Sequence, residues 1–135
     1  MQKTNNCITL ITTNALGFPL LIRHKAIKFT GEDNKEMILH RTTSGVEIIS
    51  YTDFMKERHI INHRAYPVRR TFDAVQLMQK GNETTFNWMS NNCEDFTSEV
   101  IEQTTGVRMR PRSPQRTKWM IVLGLILLVM ILVKK

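Results

Sequence analysis

The first 49 residues of the chain carry four short segments with the patterning of β-strands. They are rich in β-branched and apolar residues, or alternate between apolar and polar, and turn residues lie between them. The four segments are Cys7–Thr13, His24–Thr30, Met37–His40 and Val46–Ile49. In the second segment the alternation places His24 and Ala26 on one face and Ile27 and Phe29 on the other. The stretch 31–35 predicts a hairpin loop, so the strands on either side of it should pair antiparallel.

Helical patterning follows the strands. Three helices are predicted: a short one capped by Ser50 or Thr52 and running to about Arg58, one over Thr71–Lys80, and one that begins at Cys93 and ends at Gly106. The third is the best marked, because Glu94 and Asp95 crowd its first turn and Gly106 is a natural C-terminal stop. A small antiparallel sheet packed on helices is an α+β arrangement, which we predict for residues 1–106.

The C-terminal pattern is different. Trp119–Val133 is an unbroken run of fifteen apolar or small residues with lysines at both ends. As a helix it would be about 22 Å long, against a hydrocarbon core of roughly 30 Å. Snorkelling lysines and local thinning narrow that gap, and the run lacks the one-sided character of an interfacial helix. A buried core helix is the alternative. We predict one C-terminal transmembrane anchor over 119–133, joined to the domain by a basic linker over 107–118.

The net charge of +7 lies entirely in the tail. Residues 1–106 hold 12 Lys/Arg and 12 Asp/Glu, whereas residues 107–135 hold 7 Lys/Arg and no acid. A nucleic-acid-binding domain carries its basic surface on the folded part, so this balance argues against nucleic acid as a partner. The basic cluster before the apolar run predicts contact with a membrane surface instead. By the positive-inside rule, the expected topology is a single-pass tail anchor with the domain in the cytosol.

Two cysteines, Cys7 and Cys93, are candidates for chemistry. No secretory signal pattern is visible, so both thiols are expected to be reduced, with a disulfide between them as the less favoured alternative. A cysteine at a helix N-terminus gains thiolate character, so the pKa of the Cys93 thiol is expected below about 8.5. Its proton needs a base, and His24 or His40 would suit. The competing interpretations are a small hydrophobic core residue and a metal site, although no CxxC or HExxH spacing supports a metal and no cofactor is expected.

Three segments carry a more specific pattern: NNCEDF at 91–96, HKAIKFTG at 24–31 and MILH at 37–40. The first resembles the NCEHF box of the lecithin:retinol acyltransferase-like family. The second resembles that family's H-box, a His-Trp-Ala-Ile-Tyr sequence running into a glycine. The third is similar to the strand that carries the family's second histidine. The order of the three segments matches the family as well, and the resemblance covers roughly residues 7–106.

The resemblance implies a circularly permuted NlpC/papain-like fold and three catalytic roles. Cys93 would be the nucleophile, His24 the general base, and His40 the polar residue that orients His24. Family members move acyl chains of phospholipids. The implied function is therefore a membrane-anchored thiol acyltransferase or phospholipase A-type hydrolase, acting on a phospholipid through a Cys93 thioester. The family also includes picornavirus H-box/NC proteins, so a catalytically inactive interaction module is an alternative.

Three positions depart from the family pattern. Asp95 stands where histidine is usual in the NC box, and Lys25 and Lys28 stand where aromatic residues are usual in the H-box. The two lysines change the surroundings of the first histidine and favour a module that retains the fold without the chemistry. A cysteine peptidase or amidase of the NlpC type is a further alternative, because it would use the same residues.

Overall fold

Five strands form one antiparallel sheet in the computed structural model, which describes residues 5–15, 18–56, 58–85, 92–108 and 114–134. The strands are β1 (Cys7–Ala15), β2 (Phe18–Thr30), β3 (Glu36–Thr42), β4 (Gly45–Ser50) and β5 (Ile60–Pro67). Their order across the sheet is β4-β3-β2-β1-β5, so the first four form a meander and β5 returns to lie beside β1. A 3-10 turn, Glu32–Asn34, joins β2 to β3, and Asp33 and Asn34 both adopt a φ of 59° there. Asp and Asn tolerate this left-handed conformation better than most residues.

Within the described residues, four helices accompany the sheet: α1 (Tyr51–Phe54), α2 (Ala74–Gly81), α3 (Cys93–Thr105) and α4 (Pro114–Val133). The hydroxyl of Ser50, one of the two predicted caps, accepts a hydrogen bond from the Asp53 N–H at 3.1 Å and starts α1. This helix ends at Phe54, short of the predicted Arg58. The predicted α+β class, with an antiparallel sheet packed against helices, is confirmed.

The sheet has a core on each face, and the period-two alternation of the strands decides which residues enter which core. The face covered by α2 and α3, here called the α3 face, buries Ile8, Ile27, Phe29, Leu39, Val46, Phe96, Val100 and Ile101. The opposite face, covered by α1 and called the α1 face, buries Ile11, Ala26, Ile38 and Phe54. The two faces predicted for β2 are therefore confirmed, with Ala26 on one side of the sheet and Ile27 and Phe29 on the other.

Both ends of α3 are marked as the sequence predicts. The Asn92 side-chain oxygen accepts hydrogen bonds from the main-chain N–H groups of Glu94 and Asp95, each at 3.0 Å. A carboxylate oxygen of Asp95 accepts one from the Asn92 N–H at 3.2 Å, which completes a capping box. At the other end Gly106 has a φ of 77°, a left-handed conformation that glycine adopts without strain. These caps place Cys93 at the first position of the helix.

The sequence pattern does not predict β5. Seven of its eight residues are exposed and only Tyr66 is buried, so the strand has no apolar alternation to reveal it. Its pairing with β1 is made by the main chain, from Cys7 opposite Pro67 to Thr13 opposite Ile60. An edge strand of this kind is defined by its neighbour rather than by its own composition.

The C-terminal helix does not support the predicted anchor. α4 reaches 20 residues only by including four polar positions at 115–118, and its apolar part is the fifteen-residue run. Among the residues that the structure describes, no helix combines enough length with enough apolar character to cross a membrane. The predicted transmembrane anchor over 119–133 is therefore wrong. Of the linker predicted over 107–118, residues 109–113 lie outside the described residues and residues 114–118 belong to α4.

The cap of α3 makes a prediction about stability. Asn92 is fully buried and accepts two N–H groups, so Asn92→Ala leaves two donors without this partner and should lower the free energy of unfolding by about 2–3 kcal/mol. Asp73→Ala is the matched control, because Asp73 caps α2 through a single exposed hydrogen bond to the Gln76 N–H. It should cost about 0.5–1 kcal/mol. Urea denaturation measures both values, and equal losses would contradict the prediction.

Candidate active site

The two candidate histidines meet on the α1 face of the sheet. His24 on β2 and His40 on β3 have 9% and 3% of their surface exposed, and Nε2 of His24 lies 2.9 Å from Nδ1 of His40. Their rings are close to perpendicular, with centroids 5.1 Å apart, and the ring of Phe54 packs near both. The structure thus brings together the two histidines to which the resemblance assigns the base and orienting roles.

A carboxylate that sequence reasoning missed extends this pair. Nε2 of His40 lies 2.8 Å from Oε1 of Glu47, whose side chain is about half exposed. The two residues are direct cross-strand partners on β3 and β4, and the tight turn from Thr42 to Gly45 sets that register. Counting back from this turn pairs His40 with Glu47, so the hairpin held a usable signal. We call His24, His40 and Glu47 the imidazole relay.

Matching donors to acceptors along the relay assigns the tautomers. A carboxylate can only accept, so Nε2 of His40 donates to Glu47. Nδ1 of a neutral His40 is then an acceptor, and Nε2 of His24 donates to it. This leaves Nδ1 as the proton-accepting nitrogen of His24. The relay therefore sets the orientation of the His24 ring and leaves one basic nitrogen, which are the two properties that a general base requires.

Cys93 lies beside the main chain of β2. Its sulfur is 3.9 Å from the carbonyl oxygen of Arg23, and the main-chain N–H of Lys25 also bonds to it. These two residues flank His24. The pairing of β2 with β3 joins Ile27–Thr30 to Glu36–Leu39. The sulfur contacts β2 at positions 23 and 25, which lie just before this paired stretch. Main-chain groups of a strand lie near the plane of the sheet, so the thiol sits close to that plane, between the two faces.

Two of the residues that depart from the family pattern, Lys25 and Lys28, contact acidic or aromatic side chains. Nζ of Lys25 lies 2.7 Å from Oε1 of Glu94, the residue after Cys93, and forms an ion pair on the α3 face. Lys28 points to the other side, where its Nζ lies 5.1 Å from the centroid of the Tyr51 ring and 3.2 Å from Oε1 of Glu36. The third departure, Asp95, closes the capping box of α3.

Burial raises the pKa of the Cys93 thiol, and the negative charge of Glu94 acts in the same direction. The hydrogen bond from the Lys25 N–H and the Lys25 ammonium oppose this rise without cancelling it. Only 4% of the Cys93 surface is exposed, so the cost of desolvating a thiolate outweighs the helix N-terminus. The expectation of a pKa below the ordinary value is therefore wrong, and the resting group is a thiol.

The histidines are neutral as well. Burial is the main cause that lowers the pKa of His24 to about 3, and the positive charges of His40 and Arg58 add to it. Burial also lowers the pKa of His40, although its hydrogen bond to Glu47 works against that shift. Near neutral pH the site thus holds a thiol and two neutral imidazoles.

The remaining candidates lie elsewhere. Cys7 is exposed and Cys93 buried, and both are free thiols, so the alternative of a disulfide between them is not realised. His59 and His63 are exposed, next to or on β5. In the part of the chain that the structure describes, no group of three or more His, Cys, Asp or Glu side chains is arranged to hold a metal ion.

Comparisons with known proteins add no relative to this geometry. No protein-family model, no curated protein sequence and no solved structure matches the chain.

The shift at His24 predicts how stability depends on pH. The unfolded imidazole binds a proton near pH 6.5 and the folded one only near pH 3, so unfolding takes up a proton between these values. Stability should be greatest above pH 6.5 and should fall on acidification towards pH 3, by up to about 1.4 kcal/mol per pH unit for this group. Urea denaturation between pH 4 and pH 7.5 measures the slope.

His24→Gln tests the assignment, because the amide nitrogen can still donate to His40 but cannot be protonated. Its slope should be shallower than that of the parent protein. His63→Gln removes an exposed histidine of β5 and should leave the slope unchanged. Parallel slopes for the parent and His24→Gln would show that another group dominates.

Proposed function

We propose that this chain is a thiol enzyme that transfers or hydrolyses the acyl group of an ester through a thioester on Cys93. The observation that carries the proposal is the hydrogen-bonded relay Glu47–His40–His24. This relay ends at His24, and the main-chain groups of the residues on either side of His24, Arg23 and Lys25, contact the Cys93 sulfur. A nucleophile, a base and a group that orients the base form the general constellation of acyl transfer.

Acylation begins with proton transfer from the thiol. Nδ1 of His24 takes the proton of Cys93 as the sulfur forms a bond to the ester carbonyl carbon, giving a tetrahedral intermediate. The imidazolium that results donates from Nε2 to His40, and His40 donates in turn to the carboxylate of Glu47. Main-chain N–H groups at the start of α3 would stabilise the oxyanion. The intermediate then releases the alcohol, which receives its proton from His24, and leaves an acyl thioester on Cys93.

Deacylation reverses the proton path. His24 takes a proton from water or an amine as that group attacks the thioester carbonyl, and returns it to the departing sulfur. The acyl group leaves as a carboxylic acid or an amide. Because the resting site holds neutral groups, the thiol loses its proton during attack rather than before it. Such a site depends on the placement of the base more than on a preformed thiolate.

The proposed substrate class is a glycerophospholipid ester. It rests on the resemblance of residues 24–31, 37–40 and 91–96 to the lecithin:retinol acyltransferase-like family, to which we propose that the chain is related. The order of the three segments and the pairing of His24 with His40 support this relation.

One observation favours a second candidate, a non-enzymatic interaction module. Cys93 is buried, and its thiol pKa is raised rather than lowered, which is typical of a structural cysteine. In such a module the relay would hold β2, β3 and β4 together without taking part in chemistry. The two candidates differ in whether Cys93 can be acylated.

Acyl-enzyme formation separates the two candidates. With the full chain carrying Cys7→Ser, incubation with phospholipid should add one fatty-acyl mass that hydroxylamine removes, as measured by intact mass spectrometry. Cys93→Ala should abolish the adduct, and His24→Ala should slow its formation by about 10²–10⁴-fold, because the base is lost. A folded protein that acquires no adduct from any phospholipid class would favour the interaction module.

Glu47→Gln tests the relay separately from the base. The amide oxygen can still accept from His40, but the charge that stabilises the imidazolium is lost, so acylation should slow by less than in His24→Ala. Glu36→Gln is the matched control, because this glutamate of β3 is equally exposed and pairs with Lys28. It should leave the acylation rate unchanged. Equal rates in both glutamine variants would remove Glu47 from the mechanism.

A further inference from the structure

The ion pair between Lys25 and Glu94 links the two elements that carry the reacting side chains. Lys25 follows His24 on β2, and Glu94 follows Cys93 on α3, so each charged residue is covalently next to one member of the proposed nucleophile–base pair. Their Nζ and Oε1 atoms are 2.7 Å apart. A contact of this length is a charge-assisted hydrogen bond, and it joins the strand to the start of the helix on the α3 face.

The pair is largely removed from solvent. The Glu94 side chain is 7% exposed and that of Lys25 is 26% exposed. A carboxylate buried to this extent requires a compensating charge, because its desolvation is costly. Removing the lysine alone would leave a negative charge beside the sulfur, and removing the carboxylate alone would leave a positive one.

The two charges act on the sulfur in opposite directions. The negative charge of Glu94 raises the pKa of the Cys93 thiol, and the positive charge of Lys25 lowers it. Titratable groups on the neighbouring elements include Arg23 and His24 on β2, Asp95 on α3, His40 on β3 and Glu47 on β4. Arg58 follows α1 and acts on both histidines.

We propose that Lys25 and Glu94 form a charge-balanced clamp, which holds the start of α3 against β2 and keeps the electrostatic surroundings of the Cys93 sulfur near neutral. Both are positioning residues, and their part in catalysis rests on the acyl-transfer function proposed above.

Alkylation of Cys93 tests the clamp without any substrate. In the full chain carrying Cys7→Ser, the rate of iodoacetamide modification is followed from pH 6 to pH 10 for Lys25→Met, Glu94→Gln and the double variant. Near pH 8, Lys25→Met should slow the reaction and Glu94→Gln should accelerate it, each by roughly three- to tenfold, equivalent to half to one pKa unit. The double variant should return to within about twofold of the parent.

The opposite signs distinguish a charge effect from a loss of structure. If the pair only held the fold together, both variants would loosen the site and both would speed alkylation, which would overturn the proposal. Equal rates in all variants would overturn it too. Lys25→Arg retains the charge and should behave like the parent. Lys28→Met removes a lysine of similar exposure, whose partner Glu36 is half-exposed and not next to Cys93, and should change nothing. If Lys25→Met does not fold, the pH profile of Glu94→Gln decides. A charge effect moves the midpoint of that profile to lower pH and leaves the rate of the fully ionised thiolate unchanged, whereas a loosened site reacts faster at every pH, which would overturn the proposal.

The outcome is independent of the proposed enzyme activity. If Lys25→Met and Glu94→Gln change the alkylation rate of Cys93 in opposite directions but no acyl adduct forms, the clamp is supported and acyl transfer is rejected. If an acyl adduct forms but both variants change the alkylation rate in the same direction, acyl transfer is supported and the clamp is rejected.

Discussion

The hydrogen bond between His24 and His40 is the contact on which the rest of the site depends. It forms because β2, β3 and β4 pair in a register that turns His24, His40 and Glu47 to the same face. A slip of one residue would move a polar side chain to the α3 face and leave its partner buried without a hydrogen bond. The turn after β3 secures the register, since the Thr42 hydroxyl donates to the Gly45 carbonyl at 3.0 Å and Gly45 adopts a φ of 140°. A side chain at position 45 would be strained at this φ.

Burial affects the thiol and the imidazole in the same sense, because it favours the neutral form of each. At Cys93 it outweighs the helix N-terminus and the Lys25 N–H, and at His24 it lowers the pKa to about 3. A neutral pair avoids the cost of desolvating a thiolate and an imidazolium in the resting protein. The consequence is a small thiolate fraction, so any reaction at this site must couple proton transfer to bond formation. That requirement makes the orientation of His24 by His40 more important than the acidity of the thiol.

Local patterns in the sequence were sufficient for the α+β class, for the faces of β2 and for the start of α3, since alternation and caps are read within a few residues. Glu47 required the register of the β3–β4 hairpin, which the sequence contains but which periodicity alone does not reveal. The Lys25–Glu94 pair joins residues far apart in the chain and could not be predicted from either segment. The thiol pKa was predicted in the wrong direction because the helix N-terminus is visible in the sequence whereas burial is a tertiary property. The run 119–133 is a different case, because its short length is visible in the sequence and its composition was given more weight than that length.

The three departures from the family pattern are each compensated within this chain. Asp95 serves as the third residue of the α3 cap, where a carboxylate is favoured by the helix dipole and histidine would not be. Lys25 neutralises buried Glu94, and Lys28 lies over Tyr51 and beside Glu36. The contacts of Lys25 and Asp95 lie on the α3 face and at the α3 cap. Those of Lys28 lie on the α1 face, at Tyr51 and Glu36, whereas the relay consists of His24, His40 and Glu47. The departures therefore give little reason to expect a damaged relay. Two buried imidazoles reduce stability in acid and pack less favourably than apolar side chains of similar size, and a chemical role for His24 and His40 is the simplest account of that cost.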